Sequence, residues 1–141
     1  MDKNEYTISI LGSQLTPGDD EERFELITEG SFSAAGDEAR ISYLESDAIG
    51  RLDSRTTFFV ESSKITLTRD SWYGGDMVFE EEKKHHFLYQ TPFGSLTMGI
   101  DTESITRELG ERGGELRIKY AIDVDNVVVS RNSFKISVKP S

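Results

Sequence analysis

An alternation of apolar and polar side chains through residues 77–101 constrains the fold more than any other feature of the sequence. The stretch reads MVFEEEKKHHFLYQTPFGSLTMGID, and apolar residues recur at every second position in three runs. A period of two is that of a β-strand with one buried face. The breaks are a charged turn at 81–84 and Pro92-Phe93-Gly94, where proline fixes φ and glycine accepts a positive φ. Three consecutive strands paired as a meander are therefore predicted.

The rest of the chain also favours strands, because no segment carries a helical stripe of adequate length. Further strands are predicted at 6–15, 23–34, 39–46, 55–61, 65–69, 104–109, 115–124 and 127–138. Short turns connect them in place of crossover helices, so neighbouring strands are expected to be antiparallel, and a sheet of about ten strands closes to remove its edges. The predicted fold is all-β, an antiparallel closed or nearly closed β-barrel of eight to ten strands, in a single domain over 1–141.

The composition excludes several classes of function. The chain has no cysteine, which rules out a disulfide scaffold, thiolate metal sites and cysteine catalysis and fits a reducing cytoplasm. No apolar run approaches the ~20 residues of a membrane-spanning helix, and no signal peptide is recognisable. The net charge of −10 comes from 26 acidic and 16 basic residues. Because no cluster of Lys and Arg stands out, neither nucleic acids nor membranes are expected as partners. A cytoplasmic location is predicted.

Charged residues that share a face with the predicted core are the candidates for a site. Glu45, Arg69 and Arg107 each lie two residues from an apolar side chain of the same strand. A lone charge inside a barrel is costly, so each of them needs a partner. Three interpretations stay open. Glu45 and Arg69 form a structural ion pair at a barrel end, a long arginine reaches solvent, or the arginines bind the carboxylate or phosphate of a ligand.

Catalytic and cofactor signatures are missing from the sequence. His85 and His86 are adjacent on a strand, so their imidazoles point to opposite faces and cannot hold one metal ion. The glycine pairs at 74–75 and 113–114 lack the spacing of phosphate-binding loops, and no serine has the context of a nucleophile elbow. No catalytic residue, metal or cofactor is predicted. If the lumen held an enzyme site, Glu45 and His85 would be its candidates for proton transfer.

Several segments together resemble a known family. They are KKHHFLYQTPFGSLTMGIDTESI at 83–105, the double glycine and Tyr120 of GGELRIKYAI at 113–122, ELITEG at 25–30, ISYLES at 41–46 and ITLTR at 65–69. The chain is similar in these segments to the YwiB-like family of small bacterial proteins, a domain of unknown function. The resemblance implies a lipocalin-like (calycin) β-barrel and implies no activity.

Closed barrels of about eight strands either fill their interior with side chains or hold one small ligand. On the first hypothesis, a lumen also lined by Phe24, Leu26, Phe58 and Phe79 binds a small amphiphilic ligand, with anionic ligands preferred and the polar end held by one of the arginines. The residues expected to bind the ligand are Arg69, Arg107, Glu45, Tyr43, Tyr89, Met98 and Tyr120. On the second hypothesis the interior is packed and the outer surface acts as a protein-interaction or regulatory module. An enzyme in the lumen is the third.

Overall fold

Ten antiparallel strands form one sheet. The structure is a computed structural model that describes residues 5–46, 53–69 and 76–141, apart from the side chains of residues 45–46, 53–54 and 89–91. The strands are β1 (Tyr6–Leu15), β2 (Glu22–Ala35), β3 (Glu38–Ser46), β4 (Asp53–Val60), β5 (Ile65–Arg69), β6 (Met77–Phe79), β7 (Lys84–Thr91), β8 (Gly94–Gly110), β9 (Gly113–Val124) and β10 (Val127–Pro140). No helix occurs in the described ranges.

The sheet curls until its two ends meet. The strand order is β6-β5-β4-β3-β2-β1-β10-β9-β8-β7, and β6 lies against both β7 and β8. The predicted antiparallel barrel is thus confirmed as a nearly closed barrel of ten strands. Successive strands run in opposite directions, which gives the barrel two ends. We call the end with the turns at 36–37, 61–64, 80–83 and 111–112 the lower end, and the end with the connections at 16–21, 92–93 and 125–126 the upper end.

Aromatic side chains fill the middle of the barrel. Phe79 is completely buried, and its ring centroid lies 4.9 Å from that of Tyr120 and 6.0 Å from that of Phe134. Phe58 joins the group, 5.7 Å from Phe134 and 6.5 Å from Tyr43. Edge-to-face and offset contacts at these distances stabilise aromatic pairs beyond their area burial. These five residues form what we call the aromatic cluster, which is surrounded by buried aliphatic side chains.

The three strands predicted at 77–101 exist, but the predicted meander is wrong. β7 pairs with β8, from Lys84 opposite Asp101 to Thr91 opposite Gly94. In contrast, β6 pairs with β5 and stands at the opposite end of the strand order from β7. The charged turn therefore joins the two edges of the sheet and does not close a hairpin. Alternation shows which face of β6 is buried, but it does not select the neighbouring strand.

The break predicted between residues 101 and 104 is a β-bulge inside one long strand. The register of β8 against β9 shifts between Thr102 and Ser104. An extra residue in one strand of a pair reverses the inward parity beyond it. This explains why Ile100 and Thr102 are buried at even positions, whereas Ile105 packs against the core at an odd one.

The gap beside the bulge is closed by the turn that connects β6 to β7. The backbone N–H of Glu80 donates to Thr102 Oγ1 at 3.2 Å, and that of Glu82 donates to the Thr102 carbonyl at 3.2 Å. The N–H of Ile105 in turn donates to Glu81 Oε2 at 2.7 Å. Glu80 also contacts His85 Nε2 at 2.9 Å. We call these contacts the seam, and they replace the backbone ladder that β6 and β7 do not form.

Phe24 corrects the predicted lining of the lumen, because 58% of its surface is exposed. It stands opposite Gly12 on β1, and its ring occupies the space that a Cβ at Gly12 would need. The missing side chain at Gly12 lets the ring lie at the rim of the barrel. Leu26, the next residue on the same face of β2, is half-buried against the core.

Replacing Phe79 by alanine should lower the free energy of unfolding by about 3–5 kcal/mol, because it empties the centre of the aromatic cluster. Phe93 is 98% exposed, so Phe93→Ala is the matched control and should change the stability by less than about 0.5 kcal/mol. Urea denaturation at low protein concentration measures both. Equal losses in the two variants would contradict the assignment of the cluster as the core.

The seam should respond to acid. The hydrogen bond with His85, followed by that with Lys83, holds the pKa of Glu80 below its usual value of 4.5. A carboxylate with a lowered folded-state pKa stabilises the fold above the unfolded-state pKa, and this contribution is lost as pH falls through the folded-state pKa. Glu80→Gln should therefore lower the melting temperature near neutral pH, and the difference should shrink in acid. Glu111→Gln, on an exposed turn, is the control, and a pH-independent difference for Glu80→Gln would refute this role.

Candidate functional site

The polar part of the barrel interior lies toward the upper end. Arg69 is the last residue of β5 and pairs with Thr56 on β4, which in turn pairs with Tyr43 on β3. All three have the inward parity of the buried Leu67 and Phe58. Thr56 is completely buried and Tyr43, a member of the aromatic cluster, is 3% exposed, so this row places two hydroxyl-bearing side chains and a cation at the upper border of the cluster.

Tyr120 faces this row from the other side of the barrel. Burial raises the pKa of Tyr120 to about 12, although the positive charge of Arg69 acts in the opposite direction. The Nε of Arg69 is itself buried. A cation and a protonated hydroxyl in a poorly solvated place are the groups that recognise a carboxylate or phosphate. We call Arg69, Tyr120, Thr56 and Tyr43 the upper site.

The sequence-predicted site residues divide between the two ends of the barrel. Tyr43, Arg69 and Tyr120 belong to the upper site. Met98 is half-buried against the core on β8, toward the upper end. The side chains of Glu45 and Tyr89 lie outside the described part of the structure, so the predicted Glu45–Arg69 pair remains a prediction. The backbone places Glu45 opposite Ser54, two residues above the pairing of Tyr43 with Thr56.

Arg107 lies in the lower half of the barrel, away from the other predicted residues. Its Nη1 donates to the backbone carbonyl of Glu61 at 2.8 Å. This bond joins β8 to the turn after β4, where no strand pairing spans the gap between the described strands. A guanidinium held by a main-chain carbonyl explains an inward-facing arginine without a ligand. Arg69 and Arg107 therefore do not contribute to one anion site.

Sequence reasoning missed an ion cluster on the outer face of the barrel. Lys84 Nζ lies 2.5 Å from Asp123 Oδ2 and 3.4 Å from Asp101 Oδ2, and it donates to Asn126 Oδ1 at 3.1 Å. Asp123 is 4% exposed, and the bond to this carboxylate, more than that to Asp101, raises the pKa of Lys84. A Cβ at Gly99 would overlap Asp123. The four residues lie in different elements of the fold, so their spacing along the sequence could not indicate the cluster.

The outer face of β9 and β10 brings together basic residues that are dispersed in the sequence. They are Arg117, Lys119, Arg131 and Lys135. Acids balance part of this charge, since Glu115 pairs with Arg117 at 3.2 Å and with Lys135 at 3.8 Å. Beside them a groove of about 480 Å³ is also lined by acidic side chains. The mixed signs give no anion site comparable to the upper site.

Neither a metal site nor a membrane-spanning helix is found within residues 5–46, 53–69 and 76–141. No group of three or more His, Asp or Glu side chains in these ranges is placed to hold a metal ion. The same ranges contain no helix with the length and apolar character needed to cross a membrane.

The fold and the upper site define a small ten-stranded barrel whose packed interior ends in a cationic, hydroxyl-lined region. The chain belongs to the family described as "Domain of unknown function (DUF1934)", which it matches over residues 8–136. Its fold is similar to that of the ywiB protein from Bacillus subtilis in a crystal structure, with a TM-score of 0.79 and 21% sequence identity over 96% of this chain and 91% of that one. No curated protein matches the sequence. The resemblance to the YwiB-like family is thus confirmed, and it shows the fold.

Tyr120 should ionise at a higher pH than an ordinary tyrosine. A phenol whose pKa rises from 10.0 to about 12 on folding stabilises the fold below the unfolded-state pKa, and that contribution is lost as pH rises through the folded-state value. Alkaline titration of the phenolate absorbance should lose a step near pH 12 in Tyr120→Phe. In Arg69→Met that step should move to still higher pH, because the cation that favours the phenolate is gone. Loss of a step near pH 10.0 in Tyr120→Phe would contradict the burial of this hydroxyl.

Proposed function

We propose that the protein binds a small anionic amphiphile at the upper end of its barrel interior. The observation that carries this proposal is the position of Arg69, which has inward parity, stands opposite the completely buried Thr56 and has a buried Nε. A net charge of −10 makes the outer surface repel anions. An anion would therefore be attracted to an interior cation such as Arg69 more than to the outer surface. The binding site is inferred from this contrast between the inside and the outside.

The two polar groups play different parts in the proposed binding. Arginine presents a planar fork of donors that matches a carboxylate or phosphate with two parallel hydrogen bonds. Tyr120, with a pKa of about 12, keeps its proton at any physiological pH and therefore acts as a hydrogen-bond donor. Thr56, which pairs with Arg69 in the sheet, adds a second hydroxyl. Both charge and hydrogen bonding select an acid over an alcohol or an amine.

The apolar part of the ligand would pack at the rim and would not thread through the barrel. The aromatic cluster occupies the middle, with centroid separations of 4.9 to 6.5 Å between neighbouring rings. Partly exposed apolar side chains with inward parity lie toward the upper end on β2 and β8, namely Phe24, Leu26, Leu96 and Met98. Covering such surface contributes about 25 cal/mol per Å². A short or branched tail fits this arrangement better than a long chain.

The packed middle also supports a second function, in which the outer surface makes the contacts. A barrel filled by its own side chains leaves its surface for recognition. An enzyme is the third candidate and has less support, since His85 contacts Glu80 in the seam at 2.9 Å. Glu45, the other candidate for proton transfer, has no described side chain.

Titration with a fluorescent fatty acid tests the proposal, with Arg69→Met as the test variant. Arg107→Met is the matched control, because it makes the same change at the lower end. We expect the starting protein and Arg107→Met to bind alike, and the Kd of Arg69→Met to rise at least about tenfold, since a hydrogen bond to a charged group contributes about 1.5–3 kcal/mol. The corresponding fatty alcohol and amine should bind the starting protein more weakly than the acid.

Two results would overturn this assignment. Equal binding by all three proteins would leave a site but reject Arg69 as its anchor. No binding by any of them would reject the interior site and favour the surface function.

A further inference from the structure

The fold gathers positive charge on one outer face of an acidic barrel. β2, β1, β10 and β9 lie side by side in the sheet, and Ser13 on β1 stands opposite Ser133 on β10. Arg23 continues this row on β2, and Lys119 continues it on β9. Ile118, next to Lys119, is completely buried, so the row faces outward. We call this surface the basic face, and the cations in the row or beside it are Arg23, Arg117, Lys119, Arg131 and Lys135.

Small hydroxyl side chains form the floor of the basic face. Ser13 Oγ and Ser133 Oγ share a hydrogen bond of 2.8 Å. Two grooves, of about 480 and 450 Å³, are both lined by these serines and by Lys119. The grooves therefore adjoin at the serine pair, where short side chains are surrounded by long cationic ones. Each groove has the volume of sites that hold ligands.

Two cations of the basic face have no acidic partner in the described part of the chain. The other three contact Glu21 or Glu115, whereas Lys119 and Arg131 form no ion pair with a described residue. Both side chains are exposed. Lys119 stands opposite Ser133, and Arg131 lies two residues before Ser133 on the same strand, so the two cations are diagonal neighbours roughly 7–8 Å apart. Like charges at this separation repel, and a carboxylate placed between them is favoured.

Acidic side chains also line the larger groove, but most of them are engaged. Glu21 contacts Arg23 at 3.2 Å, and Asp101 contacts Lys84 at 3.4 Å. Among the described residues, Glu103 is the acid of this groove that has no ion pair. The groove therefore presents more unpaired positive than negative charge, in a molecule with a net charge of −10.

Leucine side chains stand beside the cations and decide what kind of partner fits. Leu11 lies opposite Lys135, and Leu15 lies opposite Arg131. Each leucine is 46% exposed. β1, β2, β9 and β10, which the structure describes in full, carry no aromatic residue at an outward position. Proteins that bind single-stranded nucleic acids stack the bases on aromatic side chains, so the basic face is better suited to a polypeptide that combines carboxylates with apolar side chains.

We propose that the basic face binds an acidic polypeptide segment that carries apolar side chains between its acids. Its carboxylates pair with Lys119 and Arg131, and its apolar side chains cover Leu11 and Leu15. The net charge of −10 makes the rest of the surface repel an acidic partner, which orients the partner toward this face. A segment is favoured over a single small anion because the cations are spread over several strands.

The proposed binding is transient and sensitive to salt. Exposed ion pairs contribute little individually, and dissolved ions screen them. The basic face lies on the outside of the barrel, so this binding does not depend on the ligand proposed for the interior.

Fluorescence anisotropy with a labelled synthetic peptide tests the proposal. The peptide repeats glutamate, leucine, aspartate and glycine, and a second peptide has glutamine and asparagine in place of the acids. We expect the full chain to bind the first peptide saturably, to release it as salt is added and not to bind the second. Lys119→Glu combined with Arg131→Glu should raise the Kd at least about tenfold, because it places like charges against the peptide.

Lys64→Glu combined with Arg112→Glu is the matched control. It replaces the same two residue types and changes the net charge equally, but it does so on exposed turns at the lower end. The Kd of this variant should stay close to that of the starting protein. Circular dichroism verifies that both double variants are folded.

The proposal is overturned if the starting protein does not bind the acidic peptide, or if the two double variants weaken binding equally. It is also overturned if an oligothymidylate of the same charge binds more tightly than the peptide, because the basic face is then a nucleic-acid site. A fluorescent fatty acid should leave the bound peptide in place, since the peptide and the interior ligand contact opposite faces of the barrel wall. Displacement of the peptide by the fatty acid contradicts a separate outer site, whereas a failure of fatty-acid binding alone overturns only the interior site.

Discussion

The closure of the sheet at Thr102 is the constraint on which the rest of the structure depends. A ten-stranded sheet has two edges, and unpaired backbone groups at each edge are costly when they are buried. β6 is only three residues long and forms no ladder with β7, so pairing alone cannot close the barrel. Thr102 accepts one N–H on its side chain and another on its carbonyl. The bulge beside it makes room for the turn that supplies both donors, and the enclosed interior follows from this arrangement.

Much of the fold could be predicted from the sequence because alternation is a local property. The period of two located the strands, and parity correctly placed Arg69 and Tyr120 on inward faces. The choice of neighbours is a long-range property, so the position of β6 at one edge and β7 at the other could not be deduced from the same pattern. Phe24 shows another limit. Its parity points inward, but the exposure of its ring depends on the glycine opposite it in another strand.

Three residues of the upper site, Tyr43, Arg69 and Tyr120, could be predicted from the sequence, whereas Thr56 and the position of the site in the barrel could not. Arg69 and Tyr120 belong to β5 and β9, which are far apart in the strand order, and they face the same interior only because the sheet closes. Arg107 had the same signal in the sequence as Arg69. Arg107 differs in that its guanidinium donates to a main-chain carbonyl. Every residue has such a carbonyl, so the sequence does not indicate which one accepts this hydrogen bond. The cluster around Lys84 lay beyond sequence reasoning for a related reason, since its acids come from β8 and β9.

The pairing of β1 with β10 has a consequence for the way this protein is made. Ser13 and Ser133, which share a hydrogen bond of 2.8 Å, are 120 residues apart along the chain. Contacts of such long range slow folding, because a large loop has to close before they form. During synthesis β1 emerges early and has its β10 neighbour only after nearly all the other strands have left the ribosome. Until then two edges in the middle of the sheet stay open, and such edges are where a nascent chain can pair with other polypeptides.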